Sequence, residues 1–205
     1  MELKQAIENR VSVRSFRSDR VPLTDLREMV RLASLAPSVN NYQPWKFIAL
    51  TGRQTLQKMA EIVSEKIALL PRNTSQASGN ITSQVEWFST FFREAPAVIA
   101  LVMEEYETVL EKGVNLTHEE INRNRNFPDL QSAGACIQNL LLSATDMGYG
   151  ACWLSAPLIA KSELEAMLDI NKPYKLIAFI AVGKPRHMPQ PKQRKAIDEI
   201  FELRE

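Results

Sequence analysis

The sequence is poor in glycine, and this scarcity excludes two common ways of binding a phosphate group. Its seven glycines form neither the Gly-x-Gly-x-x-Gly fingerprint of dinucleotide-binding folds nor the Gly-x-x-x-x-Gly-Lys phosphate loop. Gly148 and Gly150 come nearest, but Trp153 stands where the third glycine of the fingerprint belongs. If the protein binds a phosphate, it has to hold it in some other way.

Cysteine and histidine are equally scarce. Cys136 and Cys152 lie sixteen residues apart, and there is no Cys-x-x-Cys pair. We therefore expect two buried, free thiols and no metal site or redox dithiol. His118 and His187 are the two histidines, and no Gly-x-Ser-x-Gly motif accompanies them, so a hydrolase triad is not predicted.

Long apolar runs are also missing. The two longest, residues 97–103 and 176–182, have seven residues each and are too short to cross a hydrocarbon layer about 30 Å thick. The first residues, Met1–Ala6, lack the apolar core of a secretory signal. With 205 residues, 45% apolar and 24% charged, the chain is expected to be a single domain over residues 1–205, cytoplasmic, with no membrane partner.

The net charge of +1 gives no reason to expect a nucleic-acid partner, but the charges are unevenly distributed. Cations concentrate near both ends, and acids concentrate in residues 104–120. The cations are Arg10, Arg14, Arg17 and Arg20 near one end and Lys184, Arg186, Lys192, Arg194 and Lys195 near the other. The two basic clusters are either solvated faces or two halves of one anion site.

Apolar periodicity predicts helices alternating with short strands. The predicted strands cover residues 46–51, 97–103, 151–154 and 175–182, and the predicted helices cover 3–9, 25–36, 53–70, 82–94, 130–147, 161–169 and 195–203. Residues 72–80 are rich in turn formers. Residues 104–129 are acidic, lack a clear period and are typical of an insertion. Strands placed singly between helices favour an α+β domain with a helix-covered sheet.

The segment Arg10-Val-Ser-Val-Arg-Ser-Phe16 carries polar side chains that packing does not require. If the segment is extended, Arg10, Ser12 and Arg14 point the same way. Two guanidinium groups and a hydroxyl that converge on one point suit a phosphate, which takes bidentate donors. The alternative is an amphipathic strand with solvated arginines.

Two further segments are candidates for binding. Residues 38–45 read Ser-Val-Asn-Asn-Tyr-Gln-Pro-Trp, and their amides can read the edge of a planar heterocycle. The alternative is a plain turn rich in Asn and Pro. Residues 191–195, Pro-Lys-Gln-Arg-Lys, form either a docked basic strap or a solvated tail.

Together these segments resemble the nitroreductase family of FMN-dependent oxidoreductases. The family pattern Arg-x-Ser-x-(Arg/Lys)-x-Phe is matched by Arg10, Ser12, Arg14 and Phe16, and the pattern Pro-Ser-x-x-Asn-x-Gln-Pro-Trp is matched by residues 37–45. Later and less specific matches are Gln138–Leu142, Gly148, the segment to Pro157, and Gly183 followed by Lys192 and Arg194. The resemblance spans nearly the whole chain.

The resemblance implies a nitroreductase-like α+β fold, with a mostly antiparallel sheet, in an intertwined homodimer that holds FMN at the subunit interface. It implies that residues 104–129 lie near the substrate pocket and that residues 184–205 form a C-terminal strap. The implied FMN-binding residues are Arg10, Ser12, Lys192 and Arg194 for the phosphate and ribityl chain, Arg14 for the pyrimidine edge, Leu154, Ser155 and Ala156 for the ring, and Ser38, Val39, Asn41 and Gln43 from the motif that the other subunit contributes.

The activity that the resemblance implies is hydride transfer from NADH or NADPH through flavin to a nitroaromatic, quinone or similar small acceptor in a ping-pong cycle. Arg14 is then the candidate catalytic residue, because a cation there stabilises the negative charge of the reduced ring. The alternatives are another flavin reaction, such as reductive dehalogenation or enone reduction, flavin binding without turnover, or an anionic partner for the tail. The sequence departs from many relatives at Val11, Ser155 and Ala156.

Overall fold

A computed structural model describes residues 1–71, 76–106 and 108–205 of the chain, with the backbone alone for residues 76–80. Its strands are β1 (Trp45–Leu50), β2 (Ala97–Glu104), β3 (Gly150–Leu154) and β4 (Tyr174–Gly183). They form one sheet in the order β1-β2-β4-β3, and every neighbouring pair is antiparallel. The four predicted strands and the α+β class are confirmed.

Seven α-helices lie around this sheet in the described part of the chain. They are α1 (Leu3–Asn9), α2 (Leu23–Ala33), α3 (Arg53–Ala68), α4 (Gln76–Thr90), α5 (His118–Asn124), α6 (Pro128–Asp146) and α7 (Lys161–Met167). Short 3₁₀ turns cover Val39–Asn41, Phe91–Glu94, Ala156–Ala160 and Ile197–Glu199. No helix of the described residues is both long and apolar enough to cross a membrane.

The structure corrects three of the predicted elements. Residues 76–80, expected in a turn, belong to α4, while residues 72–75 lie outside the described residues. The helix predicted over 195–203 is one 3₁₀ turn, Ile197–Glu199, because the apolar side chains there face solvent instead of packing on a layer of the domain. Helix α5 was missed inside residues 104–129, although Thr117 and Glu120 form a capping box, which is a signal visible in the sequence.

The sheet is the middle of three layers. Strand β2 buries seven of its eight residues, because its alternate side chains face two different cores. On one face, Met29 of α2 and Leu140 of α6 pack with Ile99; on the other, Met59 of α3 and Leu164 of α7 belong to the core of the opposite face. Both thiols, Cys136 and Cys152, are free and buried, as expected.

Candidate cofactor site

The first candidate segment lies along the free edge of β3. Ser12 forms an isolated parallel bridge with Ala151, the backbone N–H of Val13 donates to the Ala151 carbonyl at 3.0 Å, and Phe16 bridges to Pro185. Because the Ser12 bridge is parallel, it carries Arg14 toward the end of β3. The apolar side chains of Val13 and Phe16 are buried and anchor the segment, which leaves its polar side chains free to converge.

Two glycines paired across the sheet let the segment approach closely. Gly150 of β3 stands opposite Gly183 of β4. A Cβ at Gly150 would lie 2.6 Å from the Val13 side chain, and a Cβ at Gly183 would lie 2.5 Å from Pro96 and 3.0 Å from Phe16. The contacts of 2.6 Å with Val13 and 2.5 Å with Pro96 are shorter than any that real Cβ atoms make, so only glycine permits this packing.

The C-terminal strap meets this segment and forms a cavity of about 210 Å³. We call its polar wall the basic cradle; it consists of Arg10, Ser12, Arg14, Lys192 and Arg194. Val11, Pro189 and Gln190 complete the lining, and within the described part of the chain no carboxylate lines it. An adjoining cavity of about 590 Å³ shares Arg10, Lys192 and Arg194 and is also lined by one carboxylate, that of Glu8. A donor set of guanidinium, ammonium and hydroxyl groups without an anion fits a phosphate group.

Cys152 of β3 is buried close to residues of the cradle, and their charges affect the pKa of its thiol. Burial raises the pKa of the Cys152 thiol, and Arg14, Ser12 and Arg10 oppose that rise. The cradle residues thus offset part of the effect of burial, and the thiol remains the favoured form. For Cys136, which lies on the other face of the sheet, burial alone raises the pKa to about 12.

Arg14 is also part of a larger cleft of about 870 Å³ that continues past the cradle. Its guanidinium carbon lies 5.4 Å from the centre of the Phe88 ring, in a cation–π contact with α4. Trp87, half-exposed, lines the same cleft. The sequence analysis did not identify these aromatic residues. Arg14 therefore connects the phosphate-sized cavity to a wide cleft with aromatic walls.

The Ser38–Gln43 loop lies outside both cavities of the basic cradle and outside the large cleft. Asn40, Asn41 and Gln43 have positive φ angles of 51°, 53° and 56°. The N–H of Gln43 donates to the Ser38 hydroxyl at 2.9 Å, which closes the loop. Within one chain the structure therefore does not bring Ser38, Val39, Asn41 or Gln43 to the basic cradle.

The predicted ring-contacting residues lie at the end of β3. Leu154 is buried in the core, whereas Ser155 and Ala156 are exposed at the start of the 3₁₀ turn Ala156–Ala160. The Ser155 carbonyl accepts a hydrogen bond from the Leu158 N–H at 3.0 Å. The backbone at Ser155 and Ala156 is thus presented at the surface, on the strand edge that the first segment follows.

A polar network in residues 104–129 was missed by the sequence analysis. We call it the acidic network: Tyr106, Glu111, His118 and Asp129. The His118 ring nitrogens lie 2.6 Å from a Glu111 oxygen and 2.9 Å from an Asp129 oxygen, and the Tyr106 hydroxyl donates to Asp129 at 2.8 Å. The carboxylates of Glu111 and Asp129 therefore have polar partners within the chain. No group of three or more histidine, cysteine or carboxylate side chains in the described ranges has a geometry suited to a metal ion.

Comparison with known proteins supports the similarity suggested by the motifs. The protein-family model described as "Nitroreductase family" matches residues 7–184 of this chain. A solved BluB-like flavoprotein from Clostridium difficile 630 is 28% identical, with a TM-score of 0.88 and full coverage of both chains. "Putative NAD(P)H nitroreductase YfhC" of Bacillus subtilis (strain 168) is 25% identical over 97% of this chain and 92% of its own length. Iodotyrosine deiodinase of Hydra vulgaris is 26% identical over 94% and 69%.

Proposed function

This chain belongs to the nitroreductase family, and from that premise we propose that it is an FMN-dependent oxidoreductase that transfers hydride from NADH or NADPH to a small electron-poor acceptor. The observation that carries the proposal is the basic cradle, in which cations from the two ends of the chain surround one cavity and no carboxylate of the described residues lines it. Nitroaromatics and quinones are the acceptor class we propose, and the similarity to the Bacillus subtilis relative supports it.

In this proposal the cradle holds the phosphate of FMN. Arg10 and Arg194 offer planar donor pairs, and Lys192 and Ser12 add an ammonium and a hydroxyl. Side chains thus take the place of a glycine-rich loop. Because Lys192 and Arg194 belong to an exposed strap, their affinity for an anion has to come from convergence with Arg10, not from burial.

When bound, FMN supplies the hydride chemistry, accepting a hydride from the nicotinamide and passing it to the acceptor. Arg14 contributes a positive charge where the cradle opens into the large cleft. A fixed cation stabilises negative charge that develops beside it during the reaction. The Phe88 ring, 5.4 Å from the guanidinium carbon, restrains the side chain in that position. The backbone at Ser155 and Ala156 is the proposed contact for the ring.

We also propose that the active form is a homodimer. The Ser38–Gln43 loop lies outside the cradle of its own chain, so a second copy is needed to bring Ser38, Val39, Asn41 and Gln43 to a flavin. The strap leaves Ile197, Ile200, Phe201 and Leu203 at least 65% exposed. A run of large apolar side chains at this exposure needs another surface to cover it.

One comparison favours a second candidate reaction on the same site. The similarity to the Hydra vulgaris deiodinase extends over 94% of this chain, and it supports reductive removal of halogen from an aromatic ring. Steady-state assays with a nitroaromatic, a quinone and a halogenated phenol separate the two candidates. The acceptor with the highest kcat/KM identifies the reaction class.

The first test is the visible absorption of the purified protein, followed by anaerobic titration with NADH and NADPH. A colourless protein that does not bind added FMN contradicts the proposal. For Arg14→Ala, we expect that some FMN is retained, since the other cradle residues remain, and that the rate of flavin reduction in the FMN-loaded fraction falls by about 100-fold, as for the loss of one electrostatic stabiliser. Arg17→Ala is the matched control, because Arg17 pairs with Asp19 and lines neither cavity. An unchanged reduction rate in Arg14→Ala rules out the role of Arg14.

A further inference from the structure

The Ser38–Gln43 loop adopts a backbone conformation that its own sequence does not secure. Three of its residues have positive φ angles, and none of them is glycine. Such residues keep this conformation only when their surroundings fix it. Inside the loop, the Gln43 N–H donates to the Ser38 hydroxyl at 2.9 Å, and the N–H groups of Asn41 and Tyr42 donate to the carbonyls of Ser38 and Val39 at 3.0 Å. These bonds set the shape of the loop but do not fix its position on the rest of the domain.

Outside the loop, support comes from Tyr106. The rings of Tyr42 and Tyr106 stack with their centres 4.0 Å apart and their planes 14° from parallel. Tyr42 is 47% exposed, whereas Tyr106 is 6% exposed and belongs to the interior. At the end of the loop, the Pro44 carbonyl accepts the N–H of Glu104 at 2.9 Å. The loop is therefore attached to the end of β2 by this backbone bond and to the segment that follows β2 by the ring stack.

Tyr106 is itself fixed by the acidic network. Its hydroxyl donates to Asp129, which also accepts from the amide of Asn122 at 3.0 Å and faces a ring nitrogen of His118. The other ring nitrogen of His118 faces Glu111. Burial raises the pKa of the Tyr106 phenol, with Asp129 adding to the rise, so the phenol stays a neutral donor. Asp129 lies in the first turn of α6, and α6 packs on the sheet.

We propose that Tyr106 is a positioning residue for the cofactor site: its buried ring, stacked on Tyr42, sets the position of the Ser38–Gln43 loop and thereby the contacts that the loop makes with flavin, while the hydroxyl bond to Asp129 contributes less. This inference rests on the proposed function, and it assigns a role to residues 104–129. Residues 104–129 thus support the Ser38–Gln43 loop, and through it the proposed flavin contact, by way of the stacked rings of Tyr42 and Tyr106.

The test separates the ring stack from the hydroxyl. Tyr106→Leu removes both, whereas Tyr106→Phe keeps the ring and loses the hydrogen bond to Asp129. We expect the loop amides of Asn41, Tyr42 and Gln43 to exchange hydrogen at least tenfold faster in Tyr106→Leu, relative to amides of β2. In Tyr106→Phe the change should stay below threefold. FMN affinity should fall at least tenfold in Tyr106→Leu and recover to within threefold of wild type in Tyr106→Phe.

Tyr149→Phe is the matched control. Tyr149 is another buried tyrosine whose hydroxyl donates to a carboxylate, that of Asp25 at 2.5 Å, but it lies away from the loop. Its loss should leave loop exchange unchanged. Equal acceleration throughout the chain in Tyr106→Leu, or faster loop exchange with unchanged FMN affinity, overturns the positioning role. Exchange is measured on the full chain before FMN is added, so a wild-type protein that binds no FMN contradicts the proposed function while the exchange data still judge the role of Tyr106.

Discussion

The basic cradle and the acidic network both come from parts of the sequence with an excess of one charge, yet the fold treats them in opposite ways. In the cradle, cations from two distant segments converge, and no carboxylate from the described residues lines the cavity. In the network, two carboxylates converge on one histidine and one tyrosine, and each charge finds a partner inside the chain. The cations of the cradle face a cavity without a carboxylate partner from the described residues, whereas the carboxylates of the network bond to groups of the same chain.

This difference shows that a run of like charge does not by itself indicate a binding site. Residues 104–129 hold seven acidic residues against three basic ones, but Glu111 and Asp129 already have His118 and the Tyr106 hydroxyl as partners. Glu111 also accepts from the backbone N–H of Thr108. Carboxylates that already have partners within the chain satisfy local polar groups, whereas convergent cations without a carboxylate partner are available to a ligand.

The largest effect is expected from a substitution that breaks the acidic network. Asp129→Ala removes the common acceptor of Tyr106, His118 and Asn122, and partly buried polar groups then lose their partner. We expect the free energy of unfolding to fall by about 3 kcal/mol in denaturant titrations. Glu119→Ala is the control, because Glu119 is 78% exposed and pairs only with Arg123 among the described residues; it should cost less than about 0.5 kcal/mol. If both variants lose the same free energy of unfolding, the acidic network contributes no more than an exposed ion pair, and the contrast between the two regions is wrong.

A smaller effect is expected at the basic cradle, where a substitution should change the affinity for FMN and not the free energy of unfolding. Arg194→Gln should weaken FMN affinity by about tenfold or more, which is about 1.4 kcal/mol, because a charge-assisted phosphate contact is lost. Its free energy of unfolding should not change, since Arg194 is exposed. Lys195→Gln is the control from the same strap, and Lys195 lines neither cavity of the cradle. Added salt should weaken FMN binding by the wild type, because exposed charges are screened.

The smallest effect is expected from the loss of a single hydrogen bond outside the acidic network, the one that Tyr149 donates to Asp25. Tyr149→Phe should lower the free energy of unfolding by about 1 kcal/mol at neutral pH. Burial and the Asp25 hydrogen bond raise the pKa of Tyr149 from 10.0 to about 12. The folded state therefore keeps this proton above pH 10 while the unfolded chain loses it, so the stabilisation disappears as the pH rises from about 10 to 12. The variant should show a shallower alkaline decline; an identical decline contradicts this assignment.

The sheet could be predicted from the sequence because its strands are short apolar runs between turn signals. Residues 97–103 are apolar on both faces, and β2 is buried on both faces. The helix expected over 195–203 failed because its apolar residues find no packing surface within one chain, and a short isolated helix is marginal without one. Helix α5 was missed because residues 104–129 carry no apolar period, although Thr117 and Glu120 mark its start.

The site was predictable only in part. The family resemblance implied that Arg10 lies with Lys192 and Arg194, and the structure places the three around one cavity. Their role in binding FMN stays a prediction, and composition alone left solvated arginines as an alternative. The stack of Tyr42 on Tyr106 and the bridging position of His118 depend on contacts over 64 and 11 residues of sequence separation respectively. Local patterns do not encode such contacts. The roles of the loop and of Ser155 and Ala156 stay predictions.

The glycine pair at the edge of β3 has a consequence for altering this protein. Since a methyl group at position 150 would displace Val13, and one at position 183 would press on Pro96 and Phe16, the spacing between the N-terminal arginines and the strap depends on two uncharged positions. Affinity for an anionic cofactor can therefore be tuned without replacing any ionisable residue. A mutational screen confined to charged side chains would overlook these positions.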